Sequence, residues 1–292
     1  MVYLAIILCA MLTEGDVALQ KIFRSKTSHI HSSAEVYVVV MGILGMSFYF
    51  AMAGGKVPLN TTTLLFSLAY AVVCLSYLFV SVISFDYVDL VYKMLFSGAG
   101  GMVVPFLFEV FVGNEKTELI QVIAILVRLS AILLPFVCSE KTSFKKKGGW
   151  LICLLLFLNA GIPSILSKLY VSSPGALGNA NYCFWTNVFM FPIMVAMAVF
   201  KSGFANLKND IRAVPKHCYL YIIGVAALGN CATLIGLYCL ERLSVTVYTL
   251  VSTPLSMLFT LLISAIFFKE KQNYLSYICI ALSAVAAVLY VM

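Results

Sequence analysis

Apolar stretches of roughly 20 residues recur along almost the whole chain, and only short polar segments separate them. A helix rises about 1.5 Å per residue, so each stretch is long enough to cross a hydrocarbon layer about 30 Å thick. Hydrophobic residues make up 62% of the 292 positions and charged residues 11%, whereas soluble domains carry about 25% charged residues. The sequence therefore predicts an all-α integral membrane protein, and none of its connections could hold a soluble domain.

Ten transmembrane helices are predicted from these stretches. They lie at residues 2–23, 35–53, 61–83, 87–112, 118–138, 149–171, 182–201, 217–240, 244–268 and 273–292. Glycine, proline and charged residues mark the breaks between them, as in Gly54-Gly55-Lys56 and in the run from Lys145 to Gly149.

A sequence pattern repeats at an offset of roughly 150 residues. Val91-Tyr92-Lys93, a helix and Asn114-Glu115-Lys116 in the first half match Val247-Tyr248-Thr249, a helix and Lys269-Glu270-Lys271 in the second. A repeated unit of five helices has to enter the membrane in opposite directions. We therefore predict two inverted five-helix repeats, spanning 1–140 and 149–292, with a basic linker at 141–148.

This arrangement resembles the ten-helix, EamA-like members of the drug/metabolite transporter superfamily. The first half also resembles the four-helix small multidrug resistance proteins, through Leu12-Thr13-Glu14 in the first helix and Ser97-Gly98-Ala99-Gly100 in the fourth. The resemblance implies a secondary transporter of small organic solutes, often coupled to protons. Substrates in the superfamily range from amino acids and polyamines to sugars and quaternary amines.

Three ionisable residues sit inside apolar stretches, where each charge costs roughly 2.5 to 3.5 kcal/mol on insertion scales. Glu14 is predicted to be the carboxylate that couples transport to protons, and a structural ion pair with Lys21 or Arg128 is the alternative. Lys93 is predicted to shape the solute path, and the alternative is that it extends toward the nearby loop. Arg128 is predicted to form a buried ion pair with Glu14 or with Glu109, which otherwise has a structural or interfacial role.

Small and polar residues near the helix midpoints form a second group of candidates. The predicted solute-binding residues are Ser97, Gly100, Asn159, Asn230, Ser252 and Ser256, together with the rings of Tyr70 and Tyr77. Hydrogen bonding between helices and close helix packing are the alternatives for these positions. On the cavity interpretation, Gly100→Leu would abolish transport while the protein still inserts.

The function predicted from these residues is secondary active transport by alternating access. Glu14 and the tyrosines favour an organic cation or amine, whereas Lys93 and Arg128 favour a zwitterionic or anionic metabolite such as an amino acid or a sugar derivative. A membrane-embedded enzyme or a lipid-handling protein is the alternative of a different class. We do not expect an enzyme, because the acidic residues are dispersed, the histidines lie in or beside loops and no phosphate-binding loop is present. No cofactor and no metal site are predicted.

The expected location is the cell membrane, as a multi-pass protein. The expected partners are a small-molecule solute, the lipid bilayer and protons; the scattered lysines do not indicate nucleic-acid binding, and both a monomer and a homodimer remain open. Most lysines and arginines fall at one face, and if that face is cytoplasmic both termini lie outside. The family resemblance implies the opposite orientation.

Overall fold

The computed structural model describes residues 1–27, 30, 32–87, 90–112, 119–137 and 148–267, and near the C-terminus 278, 281–282, 284–286 and 288–289. Every regular element in this part of the chain is a helix. The helices are Val2–Lys26 (α1), Ser33–Met52 (α2), Thr61–Tyr87 (α3), Leu90–Phe111 (α4), Leu119–Val137 (α5), Gly149–Val171 (α6), Asn179–Ser202 (α7), Phe204–Ala213 (α8), Lys216–Arg242 (α9) and Val245–Phe267 (α10).

Five of these helices, namely α1, α2, α6, α7 and α9, are long and apolar enough to cross a membrane. The protein is therefore helical and membrane-embedded, as the sequence predicts. A helix lies at each of the first nine predicted spans. The last predicted span, 273–292, and the basic linker at 141–148 fall largely outside the described residues, so the full number of spans and the inverted repeat stay predictions.

The predicted loop between the seventh and eighth spans contains an additional helix, α8. Gly203, at φ +76°, ends α7 in a conformation that suits glycine, and α8 begins at the next residue. Val214 is extended immediately before Pro215, where the proline ring disfavours the helical conformation. The segment was not predicted because ten residues with five charged or amide side chains have the composition of a loop.

The helices pack into two compact units. Unit 1 comprises Tyr3–Ala71 and Tyr170–Tyr238 with Met1, and unit 2 comprises Val72–Leu169 and Cys239–Met292 with Val2. Each unit combines segments from both predicted repeats, because the repeats describe sequence similarity and the units describe packing. The predicted boundaries at 140 and 149 stay a prediction.

In unit 1, α2 and α7 pack through glycines on one side and larger side chains on the other. A Cβ atom on Gly42 would lie 2.5 Å from Cδ2 of Phe191, and a Cβ on Gly45 would lie 3.1 Å from Oδ1 of Asn187. Gly42 and Gly45 are buried and one turn apart, as are Phe191 and Asn187. The order of the contacts runs in opposite directions along the two helices, so α2 and α7 are antiparallel.

In unit 2, α4 and α6 approach more closely still. A Cβ on Gly100 would lie 1.9 Å from the carbonyl oxygen of Phe157, and a Cβ on Gly161 would lie 2.5 Å from the carbonyl oxygen of Gly100. Only residues without a side chain permit this distance between two helix backbones. The contact places α4 and α6 in backbone-to-backbone packing at the level of Gly100.

Both units contain buried thiols. Among the described cysteines, which are free, Cys9, Cys183 and Cys218 are buried in unit 1, and Cys153 and Cys239 are buried in unit 2. Free cysteines are commonly buried as small core residues, and these five follow that pattern.

Candidate solute-binding residues

A polar cluster lies near the middle of the membrane helices of unit 1. Asn230 is one residue past the midpoint of α9, and its Nδ2 atom lies 3.8 Å from the position that a Cβ on Gly45 would occupy. Asn187 of α7 flanks the same glycine, and its own Nδ2 donates to the carbonyl oxygen of Cys183 at 2.8 Å. Because Gly45 has no side chain, the amides of Asn187 and Asn230, from two different helices, both lie next to it.

The amide nitrogen of Asn230 is buried and has no hydrogen-bond acceptor among the described residues. The hydroxyl of Thr186, adjacent to Asn187 and only 5% exposed, is in the same situation. A buried polar group without a partner costs about 1 to 3 kcal/mol, and most buried groups in proteins avoid that cost. The predicted site residue Asn230 therefore carries a buried donor whose acceptor is not among the described residues.

Four tyrosines from α2, α3, α6 and α7 gather in unit 1. The rings of Tyr170 and Tyr182 stack at 4.3 Å between centroids, and Tyr70 meets Tyr182 edge-on at 5.5 Å. Tyr49 belongs to the same cluster and is 2% exposed. The Tyr170 hydroxyl accepts from Leu177 N and donates to Gly178 O, so it holds the loop before α7. Of the four, the predicted site residue Tyr70 is the one that stays half-buried.

The two acidic residues of α1 differ in their surroundings. Glu14 is the central residue of α1 and is half-buried. The Asp16 carboxylate accepts a 2.7 Å hydrogen bond from Gln20, and its Oδ2 atom lies 2.7 Å from where a Cβ on Gly229 of α9 would sit. Asp16 is therefore packed at the α1–α9 contact, which is a structural role.

Unit 2 holds the remaining described candidates, and it brings two of them together. The hydroxyls of Tyr77 in α3 and Ser97 in α4 are 2.9 Å apart. Gly100 lies three residues after Ser97 in the same helix, α4. It is buried at the α4–α6 contact and faces the backbone of α6. This geometry favours the packing interpretation of Gly100 over the cavity interpretation.

Three other candidates in unit 2 form hydrogen bonds within their own helices. Asn159 donates to Leu155 O at 2.9 Å, and Ser252 donates to Thr249 O at 3.5 Å. Ser256 is half-buried, and its carbonyl oxygen accepts from the hydroxyl of Thr260. Such bonds are the usual way for polar side chains to satisfy themselves in an apolar helix.

The side chains of Lys93 and Arg128 lie outside the part of the chain that the structure describes. Their predicted roles in the solute path and in a buried ion pair stay predictions.

Glu109 and Lys168 hold the turn between α9 and α10, an arrangement that the sequence did not reveal. The buried Glu109 carboxylate accepts hydrogen bonds from Val245 N, Thr246 N and the Thr246 hydroxyl at the start of α10. Lys168 donates to Leu240 O at 2.7 Å and to Leu243 O at 2.8 Å at the end of α9. Each charge has the sign that the helix end attracts, so both side chains stabilise the turn.

The protein shares its fold with solved structures, but no match indicates an activity. No family profile matches the sequence, and no curated protein matches it. Among solved structures 28 chains match. One of them, a protein crystal structure, shares 15% sequence identity and superimposes with a TM-score of 0.66 over 97% of this chain and 94% of its own. At this level of identity the likeness shows the fold alone.

Proposed function

We propose that the protein is a secondary transporter that moves a small organic solute across a membrane by alternating access. The observation that carries the proposal is the buried Asn230 amide, which lacks an acceptor beside Asn187 and Gly45 in the middle of a membrane-embedded unit. A purely structural helix contact gains nothing from such a group, whereas a solute with an oxygen atom would satisfy it. The resemblance to the drug/metabolite transporter superfamily agrees with this role.

Two solute classes follow from the polar residues of unit 1. The half-buried Glu14 supports exchange of protons for an organic cation or amine, which is the first candidate. The Asn230 amide group is a hydrogen-bond donor, and it supports a solute that also carries an acceptor oxygen, such as an amino acid or a sugar derivative. A thermal-shift screen against amines, amino acids and sugars separates the classes, because a ligand of the folded state raises its stability.

Solute flux in proteoliposomes that contain only this protein tests the proposed class of protein. A transporter moves the stabilising solute down an imposed gradient, whereas a membrane-embedded enzyme or a lipid-handling protein leaves it where it was. Binding without flux in either direction would refute the transporter proposal.

Asn230→Leu is expected to separate function from stability. Leucine has the same branching and the same number of non-hydrogen atoms as asparagine, and it removes the buried donor, so the free energy of unfolding should stay the same or rise. Solute uptake should fall at least about tenfold, because a hydrogen bond to the solute, ~1.4 kcal/mol in this case, is lost. Uptake into proteoliposomes and unfolding in denaturing detergent measure the two quantities.

Asn181→Leu is the matched control for Asn230→Leu. Asn181 is 9% exposed in the first turn of α7; its Oδ1 has no partner among the described residues, but its Nδ2, unlike that of Asn230, donates to Leu177 O at 2.8 Å. The substitution should cost about 1 kcal/mol of stability and leave uptake intact. Uptake at the wild-type rate in Asn230→Leu would show that its amide does not contact the solute.

Glu14→Gln is expected to reduce pH-driven uptake or efflux at least about tenfold while folding stays close to wild type. Glutamine keeps the size of the side chain but cannot exchange a proton. Asp16→Asn is the control on the same helix, because Asp16 is packed against α9 and its substitution should preserve the pH dependence. If Glu14→Gln still couples solute movement to a proton gradient, Glu14 is a structural partner of another residue.

A further inference from the structure

The short helix α8 lies at the basic end of unit 1 with a fixed orientation. Leu207 is 5% exposed and belongs to a core cluster with Phe23, Val36 and Ile222. The Asp210 carboxylate accepts a 3.1 Å hydrogen bond from Ser32 N, just before α2. Leu207 and Asp210 are three residues apart, so both contacts lie on the inward face of α8 and determine which of its side chains face outward.

The outward stripe of α8 consists of one aromatic ring and two cations. Phe204, Lys208 and Arg212 follow one another at four-residue intervals, so they share one side of the helix, and all three are exposed. Phe204 is 71% exposed, and Phe200 in the last turn of α7 is 91% exposed. Other exposed cations at the same end are Arg24, Lys26, Lys201 and Lys216.

Exposed rings beside exposed cations fit the boundary between acyl chains and lipid headgroups. Amphipathic helices at this boundary insert their apolar side chains by about 5 to 10 Å and direct lysine and arginine to the headgroups. A soluble anion would contact the cations but would leave Phe200 and Phe204 in water. The combination therefore selects a lipid over a free phosphate.

We propose that α8 binds the headgroups of anionic phospholipids through Lys208 and Arg212, with Phe204 inserted among the acyl chains. This inference does not rest on the proposed transport function. It concerns the lipids that surround the protein, and it applies whatever solute the protein binds. Because anionic lipids are enriched in the cytoplasmic leaflet, it also predicts that α8 faces the cytoplasm.

Titration of phosphatidylglycerol into the detergent-solubilised full chain tests the proposal, with the thermal unfolding midpoint as the readout and phosphatidylcholine as the neutral lipid. Lys208→Gln should weaken the affinity for phosphatidylglycerol about fivefold, and Lys208→Gln combined with Arg212→Gln about 25-fold. Added salt should reduce the wild-type affinity toward that of the double variant. The midpoint without added lipid should not change, because both side chains are exposed.

Lys56→Gln is the matched control. Lys56 is also exposed and belongs to unit 1, but it lies in the loop after the other end of α2. Its substitution removes the same charge and should leave the affinity for phosphatidylglycerol unchanged. Equal losses in Lys208→Gln and Lys56→Gln, or equal affinity for the two lipids, would overturn the proposal. Stabilisation by inorganic phosphate as strong as by phosphatidylglycerol would identify a soluble-anion site and would overturn it too.

Discussion

Gly100→Ala is expected to lower the free energy of unfolding by about 3 kcal/mol, a change of more than a hundredfold in the unfolding equilibrium. The added methyl group would lie 1.9 Å from the carbonyl oxygen of Phe157 and 2.6 Å from its Cα, whereas non-bonded carbon atoms rest about 3.5 Å or more apart. Both are backbone atoms, so no side-chain rotation relieves the overlap and α4 has to move away from α6. The gain in helix propensity from glycine to alanine, at most about 1 kcal/mol, is too small to compensate.

Gly101→Ala supplies the matched control in the same turn of α4. A Cβ at Gly101 would find its nearest atom, the carbonyl oxygen of Ala160, at 3.9 Å, which is an ordinary contact. The free energies of unfolding of the two variants, measured in denaturing detergent, should differ by the full cost of the overlap at Gly100. Equal stability would show that α4 and α6 are not in backbone contact. The larger Gly100→Leu would separate the helices as well, so a loss of transport in that variant would not identify a cavity.

Glu109→Ala is expected to cost about 3 kcal/mol of stability through a different mechanism. Val245 N, Thr246 N and the Thr246 hydroxyl would lose their acceptor, and both residues are 0% exposed in the wild-type structure. Hydrogen bonds to a charged group contribute about 1.5 to 3 kcal/mol, and buried donors left without a partner add to the loss. The stability of Glu109→Gln should lie between those of the wild type and Glu109→Ala. One oxygen remains as an acceptor, but the new NH2 group faces other donors.

The control for Glu109 lies at the other side of the same turn. Glu241 forms a 3.0 Å ion pair with Arg242, and both side chains are more than a third exposed. Exposed pairs contribute at most about 1 kcal/mol, so Glu241→Ala should have a small effect. Thermal unfolding of both variants is the measurement. If Glu241→Ala lost as much stability as Glu109→Ala, any negative charge near the turn, and not the hydrogen bonds that cap α10, would stabilise it.

The positions of the membrane helices were predictable because each apolar stretch has to satisfy its backbone groups internally in lipid. The start of α3 follows the same local logic, since Asn60 Oδ1 accepts from Thr63 N at 2.8 Å, as a helix cap does. The helix α8 was not predictable by this criterion, because its amphipathic pattern covers only ten residues and its mean polarity is that of a loop.

The candidate site was predictable in part. Asn230 and Tyr70 could be singled out because a polar side chain in an apolar helix stands out, and their contact with a solute stays a prediction. For Gly100, a cavity and a close helix contact both require a small residue, and the partner that distinguishes them, Phe157, is distant in sequence. Glu109 was expected to have a structural or interfacial role, and its carboxylate has a structural one as the acceptor for backbone N–H groups of α10, whereas the alternative pairing with Arg128 stays a prediction. Backbone partners leave no trace in side-chain patterns.

The buried cysteines allow the local opening of each unit to be measured separately. A thiol inside a packed helix bundle reacts with an alkylating reagent only while the surrounding structure is open, so the rate of modification measures the free energy of that opening. Cys183 is 5% exposed in unit 1, and Cys153 is 0% exposed in unit 2. Peptide mass spectrometry resolves the two sites in one sample, and no introduced label is needed. A single cooperative opening of both units requires equal rates, and unequal rates mean that one unit can loosen while the other stays folded.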